Sequence, residues 1–307
     1  FWLPTTYASA SPPVGAMLVL MTKVGIYAVL RVWLAVFGDA AGELGGFGLT
    51  ALTVGGMATL LFGAVGMLAS EDGGRMAGYG AIISSGMLLA AIGHSGNAVL
   101  VSGLYYLIGS TLAMAAFMLL IELAERIRPP GAALIAVTME AFAIEDKPED
   151  PVGIGIPGTL AFLGLSFVVC ALVISGMPPL SGFVAKFSLF HAMLATSAAT
   201  PDGVAGTTWL LIALMVAGGL AAIIAPMRMG VRIFWASGVM KPPRLQFSEA
   251  VPVGALVVLC VLLTVQAGTV FAYLGRTVEG LSRSTDYSGR VLGEPPVWHA
   301  PAGEVAR

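Results

Sequence analysis

Residues Ser175–Leu194 read SGMPPLSGFVAKFSLFHAML. Two adjacent prolines, Pro178 and Pro179, and one lysine, Lys186, stand inside an apolar run of membrane character. Proline removes a backbone donor and bends or breaks a helix. A charged lysine near a bilayer centre costs roughly 2.5–3.5 kcal/mol on insertion scales. A stretch that keeps both features predicts a transmembrane helix broken at Pro178-Pro179, with Gly182 just beyond the break, and a titratable lysine facing an internal proton path.

Composition carries this reading to the whole chain. Of 307 residues, 57% are hydrophobic and 10% charged, against about 25% charged in soluble domains. The chain is therefore expected to be an integral membrane protein in contact with a lipid bilayer. A net charge of −2 gives no footprint for nucleic acid. Cys170 and Cys260 each lie in an apolar run and read as small core residues, with no disulfide framework and no metal spacing. No cofactor, metal or catalytic-nucleophile motif emerges, and the GxG at Gly153–Gly155 lacks a strand–helix context. The opening FWLPTTYASASPP has neither the basic nor the apolar region of a signal peptide. It reads as a loop between spans, so we expect a partial chain whose beginning is missing.

A span needs about 20 apolar residues. Runs of that kind are Pro13–Phe37, Gly48–Ala69, Met76–Ile92, Ala98–Leu120, Pro157–Thr196, Thr207–Trp235 and Val251–Leu274. A tight turn at GHSGN separates the third and fourth, and an acidic, proline-containing linker, Glu122–Ile156, follows. If Pro157–Thr196 crosses once, Arg75, Arg126, Arg128, Lys147, Arg228, Arg232, Lys241 and Arg244 gather on one side, while Gly38–Phe47, Gly93–Asn97 and Ser197–Gly206 carry no Lys or Arg. Two crossings would split the basic residues. The positive-inside rule thus favours one crossing with the basic loops cytoplasmic. The expected fold is all-α and polytopic, about seven transmembrane helices with one discontinuous, over residues 1–275. A C-terminal tail occupies 276–307.

The intramembrane ionisable groups are few. Lys23 lies mid-run in AMLVLMTKVGIYAVLR; Tyr27 and Arg31 follow at four-residue steps and so share its helix face. Tyr27 could bond the ammonium or carry a water, and Arg31 can snorkel to an interface. A lysine held away from water can release and retake its proton, the physical basis for assigning Lys23 and Lys186 to transport. SPPVGAMLVLMTK and GMPPLSGFVAK both set a Pro-Pro ahead of a lysine. His191 follows Lys186 by five residues, roughly 140° around a helix, and is a candidate relay. His94 reads as an exposed turn residue. Ser84, Ser85, Tyr105, Tyr106, Ser110 and Thr111 cluster on two runs. They could line a water wire, or their hydroxyls could bond carbonyls one turn back. Glu122 and Glu125 read as solvated residues at a span end.

Phe1–Arg31, YYLIGSTL at Tyr105–Leu112 and above all GMPPLSGFVAKF at Gly176–Phe187 resemble the antiporter-like membrane subunits of Mrp/Pha-type cation/proton antiporters and of respiratory NADH:quinone oxidoreductase. The EAFAIEDKPEDPVGIGIP linker is most similar to that of the antiporters' D subunit. The resemblance implies a protein of two inverted repeats, of which this chain matches the second. It also implies that Lys23 is the central connecting lysine and Lys186 the terminal one. Gly74 departs from the family, standing where a lysine is common. Ser84 and Gly109 stand where several relatives carry histidine, so waters and hydroxyls must substitute for those side chains here.

The expected function is that of a proton-translocating subunit of a multisubunit monovalent cation/proton antiporter in a bacterial inner (plasma) membrane. Lys23, Lys186, Tyr27, His191, Ser84, Tyr106 and Ser110 would form the proton path. The expected partners are other membrane subunits of the complex, H⁺, and Na⁺ or K⁺. The alternatives are a proton-pumping subunit of NADH:quinone oxidoreductase and a non-transporting scaffold.

Overall fold

The computed structural model describes residues 2–38, 46–94, 96–125, 158–198, 204–234 and 246–282. Among these, ten helices and no strands occur: α1 Trp2–Ser9, α2 Pro12–Phe37, α3 Leu49–Ala69, α4 Gly73–Gly93, α5 Asn97–Glu125, α6 Gly158–Ser175, α7 Ser181–Ala198, α8 Gly206–Phe234, α9 Phe247–Val265 and α10 Ala267–Ser282. Seven of them, α2 to α6, α8 and α9, are long and apolar enough to cross a membrane. Local chemistry sets several ends. Ser11 precedes prolines in the first turn of α2, where a missing N–H is harmless. Asp72 accepts the Arg75 backbone N–H at 2.7 Å and caps α4.

α4 is the most enclosed of the membrane-length helices and α9 the least. α4 owes its burial to small residues. A Cβ added to Gly86 would stand 2.6 Å from Leu60 N and 2.8 Å from Gly56 O, so α3 and α4 touch backbone to backbone. Gly86→Val should force the two helices apart and destabilise the protein by about 1–3 kcal/mol or more. Thermal unfolding in detergent measures this, and an unchanged melting temperature would refute the packing argument.

The ends of the helices sort as the single crossing requires. At one end the Arg228 Nη2 donates to Leu68 O (2.7 Å) and Ser70 O (2.8 Å), and Arg232 approaches Glu71 at 3.7 Å. At the other, His94 at the end of α4 meets Ser197 at the end of α7 and Thr208 at the start of α8. Phe167 of α6 packs on Phe234 at the basic end of α8, ring centroids 5.7 Å apart. So α6 starts near the basic end and α7 finishes at the opposite one. Together they are one span, interrupted at residues 176–180, where the Pro178–Pro179 peptide is cis.

Three expectations are corrected. The opening segment is not a loop. Trp2–Ser9 forms α1, with Pro4 and Tyr7 buried. Pro4 is harmless in a first turn, and Gly74 and Gly78 of α4 let the α1 backbone lie directly on them: added Cβ atoms would come 2.8 Å from Ala8 Cα and 2.7 Å from Pro4 Cα. The linker expected from Glu122 begins later, since α5 continues through Glu125; the EAFAIEDKPEDP core lies outside the described residues. The last span is divided at Gln266, and α10 runs on to Ser282, past the expected end at Leu274. At that division the Tyr105 hydroxyl donates to Leu263 O at 2.9 Å, and the Tyr105 ring stacks on Phe271 with centroids 4.4 Å apart.

Candidate functional site

Lys23 sits in the buried stripe of α2 formed by Gly15, Val19, Lys23, Leu30 and Leu34, and is 2% exposed. Its Nζ donates to Ser84 Oγ. Ser84 Oγ in turn donates to Ala81 O at 3.0 Å. No carboxylate pairs with Lys23 among the described residues, so its partner is one neutral hydroxyl.

Lys186 is 6% exposed and is held differently. Its Nζ donates to Ser175 O at 2.6 Å and Ile174 O at 3.3 Å. These are the closing carbonyls of α6, which the break leaves without helical partners and which form the negative end of its dipole. The lysine of the second half-helix therefore caps the first. Gly176 makes this possible. Its φ of +80° is the left-handed geometry that ends many helices, and a Cβ there would stand 2.5 Å from Lys186 Cδ. At Gly182 an added Cβ would collide with Val173 O, so the half-helices also meet without intervening side chains.

Two cavities flank this arrangement. One, of about 210 Å³, opens between α7 and α8 and is lined by Gly176, Phe183, Lys186, Phe187, Met215 and Gly219 among others. The other, of about 20 Å³, has Ser84, Tyr106, Gly109, Ser110, Gly182 and Ala185 in its wall. A volume of roughly 10–15 Å³ admits one water. The small cavity thus touches the hydroxyl bonded to Lys23 and the helix that carries Lys186.

The hydroxyl cluster divides between its two readings. Ser85 donates to Ala81 O (2.7 Å) and Thr111 to Leu107 O (2.6 Å), bonds one turn back. Ser84 and Ser110 make such bonds too, yet with Tyr106 they also line the small cavity. Tyr27 is 40% exposed and lines a different cavity with Leu30, Leu88 and Leu104. His191 is on the exposed side of α7. Neither is brought to its lysine. Sequence reasoning missed Ser181, which is fully buried and whose Oγ has no hydrogen-bond partner among the described residues. It also missed the capping carbonyls of Ile174 and Ser175, which no side-chain pattern reveals.

His94 is half-buried rather than exposed. Its Nε2 lies 3.2 Å from both Ser197 Oγ and Thr208 Oγ1, which are 3.0 Å apart. Burial holds its pKa below the ordinary histidine value of 6.5, because the charged ring loses hydration. A pKa depressed in the native state gives stability that is full above the unfolded value and lost as pH falls through the folded one. We expect the melting temperature to fall on acidification below about pH 6.5, and His94→Gln to lose that part of the dependence. The same pH profile in the variant would clear His94 of the effect.

A bundle of membrane-length helices with two buried lysines, one capping the break in a discontinuous span, defines a multi-pass membrane protein with titratable groups in its interior. Residues 1–134 match the family described as NADH:quinone oxidoreductase/Mrp antiporter, TM. The chain is 47% identical over 298 residues to the D subunit of the probable K(+)/H(+) antiporter of Rhizobium meliloti, covering 96% of this chain and 55% of that protein. It is 25% identical over 298 residues to the D subunit of the Na(+)/H(+) antiporter of Alkalihalophilus pseudofirmus, covering 96% and 54%. Among solved structures, it superposes on a chain of the Mrp complex from Dietzia sp. DQ12-45-1b with a TM-score of 0.69 at 22% identity, covering 95% of this chain and 57% of that one. For respiratory complex I from Thermus thermophilus the TM-score is 0.66 at 20% identity, covering 92% and 54%. The chain is thus similar in sequence to these antiporter D subunits over 96% of its own length, and shares its fold with the two solved chains. It spans about half the length of the curated relatives it matches.

Proposed function

We propose that this chain forms a proton-translocating part of the D subunit of a multisubunit monovalent cation/proton antiporter, a multi-pass protein of the bacterial plasma membrane. The observation that carries the reading is the pair of buried lysines with neutral partners, two of which, Ser84 and Ile174, line one cavity large enough for water. An ammonium with no counter-ion in an apolar bundle is expensive. Each lysine is therefore poised to pass its proton on, Lys23 through Ser84 and Lys186 through the ends of the broken helix. Relay along Ser84, Tyr106 and Ser110 would connect the two, with Na⁺ or K⁺ as the exchanged cation and other membrane subunits as partners. Tyr27 and His191, set apart from the lysines, would act at most at the rim of this path.

The test uses the full-length protein in its complex, in everted vesicles of a host stripped of its own antiporters. Adding Na⁺ or K⁺ should collapse a preformed proton gradient, read by a pH-sensitive dye. No cation-dependent collapse would overturn the reading. Proton pumping driven by NADH and indifferent to both cations would replace it with a role in a redox complex.

A further inference from the structure

The basic end of α8 carries Arg228 and Arg232, four residues apart and so on one helix face. Arg228 is exposed yet fixed in place, because its Nη2 closes α3 by donating to Leu68 O (2.7 Å) and Ser70 O (2.8 Å). Its Nε and Nη1 donate to no described residue, and no carboxylate pairs with it among the described residues. The nearby acids are otherwise engaged. Glu71 faces Arg232, which reaches its backbone oxygen at 3.1 Å and its carboxylate at 3.7 Å. The Asp72 carboxylate accepts the Arg75 backbone N–H and caps α4. A guanidinium with three N–H groups to offer therefore stands at the end of a membrane helix with its charge uncompensated.

The surface beside it is apolar. Leu61, Val65 and Leu68 of α3 and Ile224, Met227 and Val231 of α8 are all exposed, on two helices that touch. Trp209 is exposed near the other end of α8, and the rise from it to Arg228 is about 28 Å. That is close to the roughly 30 Å of a hydrocarbon core. Tryptophan favours a membrane interface, so with Trp209 at one interface Arg228 reaches the phosphates of the other. We propose that this end of α3 and α8 is a docking surface for an anionic phospholipid. The phosphate accepts from Nε and Nη1 of Arg228, Arg232 adds attraction, and the acyl chains lie along the exposed side chains of the two helices. Basic sites between transmembrane helices on the side of the basic loops suit such headgroups. A free phosphate ion would use the arginine and none of the apolar stripe. A zwitterionic lipid would gain less, since its own amine offsets the phosphate. The bound lipid bridges α3 and α8 and reinforces the contact that Arg228 makes between them. The site uses neither Lys23 nor Lys186, so it goes beyond the proposed transport function and stands or falls separately from it.

The test reconstitutes the full-length protein in its complex into vesicles of equal phosphatidylglycerol and phosphatidylcholine with matched chains. The complex is extracted with its bound lipids, which are counted by mass spectrometry. Wild type should retain phosphatidylglycerol in preference to phosphatidylcholine. Arg228→Gln should retain less phosphatidylglycerol, and refilling the site in a titration should take about fivefold more of it. Because Arg228 also closes α3, a second variant leaves it in place. Val231→Glu changes an exposed side chain one turn on and sets a carboxylate against the phosphate, so it should lose the lipid as well. Arg276→Gln, on α10, should bind as wild type does. Cryo-electron microscopy of the complex in nanodiscs of the same lipids should show headgroup density against Arg228. Undiminished phosphatidylglycerol in Arg228→Gln or in Val231→Glu overturns the proposal, as does a protein helix seated on Ile224 and Met227.

Discussion

Lys186→Arg is expected to assemble and to melt close to wild type, yet to lose exchange by about 10²-fold or more. The lysine does two things that this substitution separates. Its Nζ caps the carbonyls of Ile174 and Ser175 where α6 stops, and by our reading it also releases and retakes a proton. A guanidinium can cap, because it has five N–H donors, and the adjoining 210 Å³ cavity gives it room. It does not deprotonate in proteins. Lys186→Ala fails on both counts. It leaves two buried carbonyls without a donor and should lower stability by about 1–3 kcal/mol in addition to stopping exchange. Melting curves and vesicle exchange rates for the two variants decide the matter. Wild-type exchange by the arginine variant would end the idea that Lys186 carries the proton.

Lys23→Met should behave in the opposite way in stability and the same way in transport. Lys23 is enclosed among apolar residues, with Ser84 as its hydrogen-bond partner. Methionine has a similar length and needs no hydration, so the substitution removes a desolvation penalty of roughly 2.5–3.5 kcal/mol. Ser84 is not orphaned, because its bond to Ala81 O remains. The variant should therefore melt at or above the wild-type temperature while exchange falls by about 10²-fold. A residue whose removal stabilises the fold but silences transport is present for function. If Lys23→Met instead melted well below wild type, Lys23 would have to be reassigned as a structural element.

Much of the fold was legible because lipid imposes a simple rule. Backbone groups in hydrocarbon must be satisfied within the segment, so apolar run length alone marks the helices from Pro12–Phe37 to Phe247–Val265. The break at Pro178-Pro179 was legible for the same reason, since proline cannot donate. Its assignment to a single crossing followed from where Lys and Arg collect. α1 was not legible. Its eight residues have no apolar stripe of their own and are held by contact with the small residues Gly74 and Gly78 of α4. The kink at Gln266 was equally hidden, because it coincides with a bond from Tyr105, far away in sequence.

The candidate site divides along the same line. The two lysines stood out because a charge in an apolar run is chemically conspicuous. Tyr27 shares Lys23's helix face by spacing, but the packed stripe continues through Leu30, leaving the tyrosine half in the open. Periodicity says which residues share a face and nothing about which neighbour covers it. His94 looked exposed because a turn is usually wet; three helix ends converge on it instead.

Residue chemistry along the chain already implies an all-helical membrane protein with one broken span, and singles out Lys23 and Lys186 as the groups buried at a cost. Those conclusions need only transfer energies and the chemistry of proline, which are properties of residues. Only the folded arrangement makes Lys186 cap the helix before its own, makes Ser84 the partner of Lys23, and brings Ser84, Gly109 and Ser110 around one water-sized space. Those are relations between segments far apart in the chain. They depend on how closely backbones approach at glycines, and no pattern along the chain encodes that distance.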